Sequence, residues 1–488
     1  MSVGDVSDLP EDQAGKADYH PASMSSNGNP PVLRVAVVGS GPAGFYAAGA
    51  LLGGAAPVEV DMIERLPTPW GLVRLGVAPD HPKIKSVSRA FEKIAERPGF
   101  RFLGNVDVGR DLHHADLVDL YDAVIYSVGA QSDRRMGIPG EDLAGSWPAT
   151  EFVAWYNGHP DYQDLDFDLG VERVVVVGAG NVAVDVARML ALTPGELGPT
   201  DTTDAAIAAI IGAPIKEIVM LARRGPVQAA FTTPELIELG ELAGCDVVVD
   251  PADLELDPAS EAALEGDTNA TRNLEVLRGY AERPPQGHPR RLYLRFLVSP
   301  VELLGDEKVE AVEIVRNRLE ADESGRIAAV PTDERETIPC GLVFRSVGYR
   351  GVALPEVPFD ERRGTIRNDG GRVLDESGAP LPGVYCAGWI KRGPSGVIGT
   401  NKKDATETVE LLLEDVAAGR VAPKGATAAA VDALLDERGV HPVHQAGWAA
   451  IDEAERAAGE RLGRPRVKLC TWDALLEAAQ AAGEPSPF

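Results

Sequence analysis

The chain has 488 residues, 44% of them hydrophobic and 25% charged, which is room for about two or three domains with sizeable cores. Its formal net charge of -28 argues against nucleic acid or an anionic membrane as a partner, because both would repel it over much of its surface. No apolar run reaches the roughly 18 residues a membrane span needs. The four cysteines, Cys245, Cys340, Cys386 and Cys470, include no C-x-x-C pair, a pattern that suits a reducing compartment and offers no metal or iron–sulfur ligand set.

Met1 to Pro30 is rich in Ser, Pro, Gly and Asp and has no apolar periodicity, so it reads as a disordered acidic tail. It has neither the basic start and apolar core of a secretory signal nor the Arg-rich, acid-poor character of a mitochondrial presequence, so a cytoplasmic location is expected. An apolar, β-branched run follows, Leu33 to Val38, and then Gly39-Ser40-Gly41-Pro42-Ala43-Gly44 at G-x-G-x-x-G spacing. An Ala-rich helix over Phe45 to Leu52 and a strand over Val58 to Ile63 complete a βαβ unit that ends in Glu64. In such a unit Gly39 makes the tight turn, Gly41 lets a pyrophosphate approach the backbone, and Gly44 packs helix on strand. The helix N-terminus then offers free N–H groups to phosphate, and Glu64, 20 residues after Gly44, stands where an acid accepts a ribose diol.

Arg65 to Pro82 is rich in proline and glycine and reads as a long ordered loop leading into a helix over Ile84 to Ile94. Within it, His81 in Pro79-Asp80-His81-Pro82 is first of all a solvated turn residue. Phe100 to Val106 and Ala123 to Val128 predict two further strands, and Ala149 to Tyr156 a short helix. The opening pattern then returns: a Val174 to Val177 strand, Gly178, Gly180 and Ala183 at G-x-G-x-x-A spacing, and a helix running through Asp185 to Leu192. After a Pro-, Gly- and Ala-rich insertion over Thr193 to Pro214, the second strand, Glu217 to Leu221, ends in Arg223-Arg224 instead of an acid.

The two strand ends point to different ligands. An acid pairs with a free 2′-hydroxyl, whereas guanidinium groups bind a 2′-phosphate through charge-assisted, often bidentate bonds. The first unit therefore suits FAD and the second NADP(H). Downstream, Cys245 to Glu336 is acidic and irregular apart from Arg290 to Phe296, which alternates like a strand with a charged solvent face. Val343 to Gly348 echoes Val124 to Gly129, and the echo sets the passages between domains near Ser132 and Thr365. Finally, Val384 to Trp389 enters a glycine turn, Ser395 to Asn401, ahead of a helix over Asp404 to Leu413 whose N-terminus can face a flavin.

Several of these segments resemble, in order, those of ferredoxin–NADP reductases of the adrenodoxin reductase type, including their actinobacterial members. They are Gly39 to Gly44, Pro69 to Arg74, Gly76 to Pro82, Gly180 to Ala183 with Asp185 and Arg188, Arg223 to Pro226, and Gly388 to Pro394. The resemblance covers roughly residues 31 to 480. It implies an α/β fold with two Rossmann-like dinucleotide-binding domains of the glutathione/adrenodoxin reductase type. The expected division is an FAD domain over 31–132 and 366–488 and an NADP domain over 133–365.

The implied activity moves electrons from NADPH to FAD and then singly to a ferredoxin-type iron–sulfur protein; reduction of quinones or other diffusible acceptors is the alternative. FAD contacts implied by the resemblance are Ala43, Glu64, Leu72, Val106, Trp389, Gly396, Val397 and Ile398, together with Gly39, Gly41, Pro42 and Gly44 of the first turn and Arg65 next to Glu64. NADP contacts are Ala179, Gly180, Asn181, Val182, Arg223, Arg224 and Glu235, with Arg134 in addition and Gly396 shared. His81 and Glu238 match two family positions near the redox centre, which raises His81 above a solvated turn residue. The chain departs from the family where basic residues are expected on the helix after the Arg pair, since it has Glu235 to Glu241 there. Docking of an acidic ferredoxin would then use other cations, with Arg345, Arg350, Lys391, Arg392 and the Arg290 to Arg295 strand as candidates.

Overall fold

A computed structural model of the chain describes residues 32–321, 327–396 and 398–481. The expected tail over 1–30 and the expected FAD contact Val397 lie outside the described residues. The chain forms two compact units, one from the residues up to Gly71 with Val87–Ala130 and Gly351–Trp448, the other from Leu72–Ser86, Gln131–Arg350 and the residues from Ala449 on.

The first unit is built on a seven-stranded sheet. Its order is Asn368–Asp369, Arg372–Leu374, Pro380–Cys386, Ala123–Tyr126, Leu33–Val38, Val58–Ile63, Phe100–Leu103. The pairs from Pro380–Cys386 to Phe100–Leu103 are parallel, and an antiparallel hairpin forms the other edge. Leu33–Val38 lies inside this sheet and all six of its residues are buried, as a parallel strand covered on both faces requires. The helix Pro42–Gly53 returns from it and packs along the helix Ile398–Ala417.

The second unit repeats the plan with a six-stranded parallel sheet in the order Ser146–Pro148, Leu342–Arg345, Arg173–Val177, Glu217–Ala222, Arg290–Phe296, Cys245–Val249. The helix Asn181–Ala191 follows its Arg173–Val177 strand and is buried from Ala183 to its end. A three-stranded antiparallel sheet, Val298–Leu304, Ala311–Ala321 and Ile327–Pro339, is added. Among the described residues no helix is long and apolar enough to cross a membrane.

Three local expectations differ from what forms. The single helix expected over 84–94 is two, Pro82–Lys85 and Ser88–Ala95. Between them Ser86 Oγ donates to Lys83 O at 2.6 Å, a side-chain bond that competes with helix continuation, and the chain changes unit between Ser86 and Val87. The stretch from Cys245, expected to be irregular, holds a strand, the helices Pro258–Ala263 and Thr268–Glu282, and four further strands. Within that stretch Arg290–Phe296 forms the expected alternating strand, between Glu217–Ala222 and Cys245–Val249, with Leu292, Leu294 and Phe296 buried and Arg291 exposed. Finally, Ser132–Asp133 pairs with Tyr349–Arg350, next to the points where the chain enters and leaves the second unit, after Ala130 and Arg350. The second passage was expected near Thr365.

Candidate functional site

In the first unit the three glycines of the turn do different work. Gly39 has φ +100°, and a Cβ there would stand 2.8 Å from the Ser127 carbonyl oxygen, while a Cβ on Gly44 would stand 2.1 Å from Gly39 O. The chain's own packing therefore requires both. A Cβ on Gly41 meets nothing within 4 Å, so the backbone there is open to a ligand. Gly41 is the N-cap of Pro42–Gly53 and provides no side-chain cap, and Pro42 at the first position has no N–H to lose. The remaining N–H groups of the first turn are then available to an anion.

Two segments close on this turn. Trp70 has φ +84°, a conformation costly for a bulky residue, and its N–H donates to Ser40 O at 3.0 Å. Gly71 comes so near that a Cβ on it would stand 2.9 Å from Gly41 Cα. From the far end of the chain Gly388, φ +77°, approaches until its Cβ would lie 2.6 Å from Ala43 Cβ, and its N–H donates to Asp404 Oδ2 at 2.5 Å. Trp389 opens the short helix Trp389–Arg392; Gly396, φ +80°, then precedes Ile398, which opens Ile398–Ala417.

Glu64 is held by its neighbours. Oε2 accepts from Ser40 N at 3.0 Å and Ser40 Oγ at 2.7 Å, and Oε1 accepts from Leu66 N at 3.1 Å. A carboxylate offers about four acceptor positions, which leaves room for a ligand hydroxyl. Val106 is buried and its N–H donates to Glu64 O at 3.0 Å, and Arg65 is half-buried beside it. Leu72, directly after Gly71, opens a short helix and is 41% exposed.

The second turn is built alike. Gly178 has φ +142° and its Cβ would stand 2.3 Å from Ser346 O, whereas a Cβ on Gly180 meets nothing within 4 Å. Gly180 is the N-cap of Asn181–Ala191 without a side-chain cap, and Asn181 and Val182 are half-buried in its first turn. Ala179 O accepts from Ala230 N at 2.7 Å and Phe231 N at 3.1 Å, and Asn181 Oδ1 accepts from Thr232 N at 2.8 Å. Arg223 is exposed and Arg224 half-buried. Their carbonyls are fixed by Asn317 Nδ2 at 2.8 Å and Leu297 N at 3.1 Å, so two cations sit on a rigid strand end. Arg134 is exposed and its N–H donates to Gly348 O at 2.8 Å.

His81 belongs to a buried charge cluster of the second unit and is no solvated turn residue. Its side chain is 8% exposed, with Nε2 2.6 Å from Glu238 Oε2 and 3.8 Å from Glu235 Oε2. Arg188, from the helix after the second glycine turn, is the centre. Its guanidinium bonds Asp80 at 2.6 and 3.0 Å, Asp185 at 2.7 Å and Glu235 at 3.2 Å, and stands 3.8 Å from Glu238. Burial alone would depress His81, but the Glu238 bond, Asp80 and Glu235 outweigh it and Arg188, so its pKa is raised. The His81 bond holds Glu238 low. Glu235 is pushed up to about 7 by burial and then by Asp185. His81, Glu235 and Glu238 lie close enough to share a metal ion, but the Arg188 guanidinium already supplies the positive charge there.

The segment carrying Asp80 and His81 is clamped on both sides. Arg74 forms a buried pair with Glu455 at 2.9 and 2.5 Å, and Lys85 bonds Asp201 at 2.6 and 2.8 Å. Lys468 shares Asp201 at 3.3 Å and donates to Arg74 O at 3.2 Å. Sequence reasoning assigned no role to Asp80, Asp185 or Arg188. The available signal was the i, i+3 spacing of Asp185 and Arg188 on one helix face.

Most of the candidate docking cations are bound internally. Arg345 is buried and bonds Asp133 at 2.9 Å. Lys391 pairs with Asp404 at 3.1 Å, and Arg392 donates to Asn401 Oδ1 at 2.8 Å. Arg290 donates to Leu192 O at 2.9 Å, and Arg295 pairs with Glu336 at 2.9 Å. Arg350 is half-buried.

Residues 33–220 match the family model of pyridine nucleotide-disulphide oxidoreductases. The chain is 52% identical over 452 residues to an NADPH-ferredoxin reductase, FprA, of Mycobacterium tuberculosis, which covers 91% of this chain and 98% of the relative. It is 40% identical over 476 residues to a mitochondrial NADPH:adrenodoxin oxidoreductase of Arabidopsis thaliana, covering 95% and 99%. The solved structure of Mycobacterium tuberculosis FprA in complex with NADPH superposes with a TM-score of 0.88 at 51% identity, covering 92% of this chain and 100% of that one.

Proposed function

The chain belongs to the NADPH-ferredoxin reductase family, and on that premise we infer that it passes electrons from NADPH through FAD to a ferredoxin-type iron–sulfur protein. The observation that carries this reading is the opposite chemistry at the ends of two βαβ units of one design, Glu64 in the first and Arg223-Arg224 in the second. Both turns fit a dinucleotide, because Gly41 and Gly180 leave their backbones open where a Cβ would be free of any atom of the chain. Bound FAD would supply the conversion of the two electrons of one hydride into two single-electron transfers.

The chain's own residues bind, orient and handle protons. Glu64 accepts a ribose hydroxyl while Ser40 and Leu66 hold its carboxylate in place. Gly41, Ala43 and Gly44 present backbone N–H groups to the pyrophosphate, since those of Gly39 and Ser40 are spent on Ile63 O and Glu64, with Arg65 and Val106 beside Glu64 and Trp389, Gly396 and Ile398 on the returning segment. Arg223 and Arg224 take the 2′-phosphate of NADP(H) through charge-assisted bonds. His81 Nε2 and Glu238 hold a proton between them at 2.6 Å. Glu235, pushed up to about 7, exchanges a second one near neutral pH. A cytoplasmic location suits four cysteines without a close-spaced pair.

The test is anaerobic stopped-flow, mixing the flavin-loaded protein with NADPH and then with a ferredoxin from the same organism. Rapid bleaching of the flavin followed by salt-dependent bleaching of the iron–sulfur absorbance is expected. Flavin reduction with turnover on quinones but none on any ferredoxin would move the function to a reductase of diffusible acceptors.

A further inference from the structure

We propose that the iron–sulfur partner docks through an acidic face on a basic rim of the first unit made by Arg362, Arg363, Arg367, Lys402 and Lys403. The proposal rests on the reductase reading above and names the surface that serves it. Residues 362–403 hold eight lysines and arginines against three acids, a local net charge of +5 in a chain whose total is -28. An acidic partner is repelled by the molecule as a whole, so a productive encounter needs such a local reversal.

Not all eight cations face outward. Arg372 bonds Asp415 at 2.8 and 2.9 Å, Lys391 pairs with Asp404 and Arg392 with Asn401. The other five are exposed. Among the described residues Arg362, Arg363, Arg367 and Lys402 have no side-chain ion pair, and Lys403 has only an exposed contact with Glu407 at 3.8 Å. Glu361 and Asp369 are the exposed acids beside the arginines.

Direct contacts join the two ends of the rim. The strand Thr365–Ile366 packs on the short helix Trp389–Arg392, and Asn368 Nδ2 donates to Lys391 O at 3.0 Å. From the same helix Arg392 reaches Thr400 Oγ1 at 3.3 Å and Asn401 Oδ1 at 2.8 Å, and Lys402 and Lys403 follow. The rim thus frames the segment that begins at Gly388, which closes on Ala43 of the first glycine turn. A partner seated there meets the chain beside the unit's dinucleotide turn. That is where a short electron path requires it.

The experiment compares three flavin-loaded charge-reversal variants with wild type: R362E/R363E, K402E/K403E and, on an exposed helix of the second unit, R272E/R278E. The last changes net charge by the same amount away from the rim. Each is assayed for NADPH-driven reduction of the ferredoxin across a salt series and of menadione, a neutral acceptor that needs no docking surface. For the two rim variants kcat/KM for ferredoxin is expected to fall about 10-fold or more at low salt, to converge on wild type at high salt, and to leave menadione turnover unchanged. R272E/R278E is expected to stay within about 2-fold of wild type. Unchanged ferredoxin kinetics in both rim variants, or an equal loss in R272E/R278E, overturns the proposal. Wild type that reduces menadione but no ferredoxin overturns the reductase reading as well, and is told apart because it needs no variant.

Discussion

The two glycine turns share a backbone and differ in what surrounds them. In each, the first glycine is locked by a neighbouring strand end, Ser127 for Gly39 and Ser346 for Gly178, and the second faces open space. The helix after the first turn, Pro42–Gly53, has no charged residue, whereas the helix after the second buries Asp185 and Arg188. In the first unit the strand Val58–Ile63 leads into an acid tied back to its own turn, and in the second Glu217–Ala222 leads into two arginines. In the function proposed above, the glycine pattern builds a pyrophosphate cradle, while the flanking charges decide which nucleotide fits and where protons are held.

The buried cluster should give the largest effect if the difference between the two helices is real. Arg188→Gln leaves Asp80, Asp185 and Glu235 without their shared cation at a site where Arg188 is 3% exposed, and breaking such a buried pair costs about 3–5 kcal/mol. Chemical denaturation should show a loss of that size; a change under about 1 kcal/mol would mean that the cluster is solvated. Next come the glycines. Gly178→Ala combines a positive φ with a Cβ 2.3 Å from Ser346 O and should destabilise the chain by about 2–4 kcal/mol. Gly180→Ala should leave stability without nucleotide nearly unchanged and weaken NADPH binding. Equal thermal shifts in the two variants would contradict the division of labour inside the turn.

The strand ends come third. Arg223→Ala or Arg224→Ala removes charge-assisted bonds to a 2′-phosphate worth about 1.5–3 kcal/mol, or about 10- to 100-fold in the NADPH Michaelis constant. The constant for NADH, which has no such phosphate, should hardly move. Steady-state kinetics with both nucleotides decide it, and equal changes for the two would remove the arginines from the phosphate site.

What could be read along the chain was local. Leu33–Val38 and Arg173–Val177 announced themselves as parallel strands because burial on both faces leaves a continuous apolar run, and the glycine spacings followed directly. The charges were not legible, because their partners lie far away in sequence. Arg188 and Asp80 are 108 residues apart, and Arg345 and Asp133 are 212 apart. An arginine without its partner in view resembles a surface cation, which is how Arg345 and Lys391 came to be docking candidates. The helix Thr268–Glu282 does space Ala270, Leu274 and Leu277 along a buried face, but acids and polar residues between them hid the period.

The smallest expected effect concerns pH, and it too separates the second turn's cluster from the first turn. Glu235 ionises at about 7 in the folded chain against an ordinary 4.5, so the folded state keeps a proton that the unfolded state gives up. Its contribution to stability is complete below about pH 4.5 and drains away as pH rises to about 7. His81 is raised as well, so its contribution is complete below about pH 6.5 and is lost as pH climbs through the folded value. Glu238 and Asp80 are held low and act in the opposite sense, losing their contribution only in acid. Within this cluster the falling terms dominate above about pH 5, and, set against the opposite contributions of His114, Lys85 and Lys468, whose burial holds them low, they should bring the melting temperature down by an amount on the order of a few degrees. Glu235→Gln should flatten the lower part of that decline and His81→Gln the upper part. A decline that keeps its full slope in both variants would place the titrating groups outside the cluster.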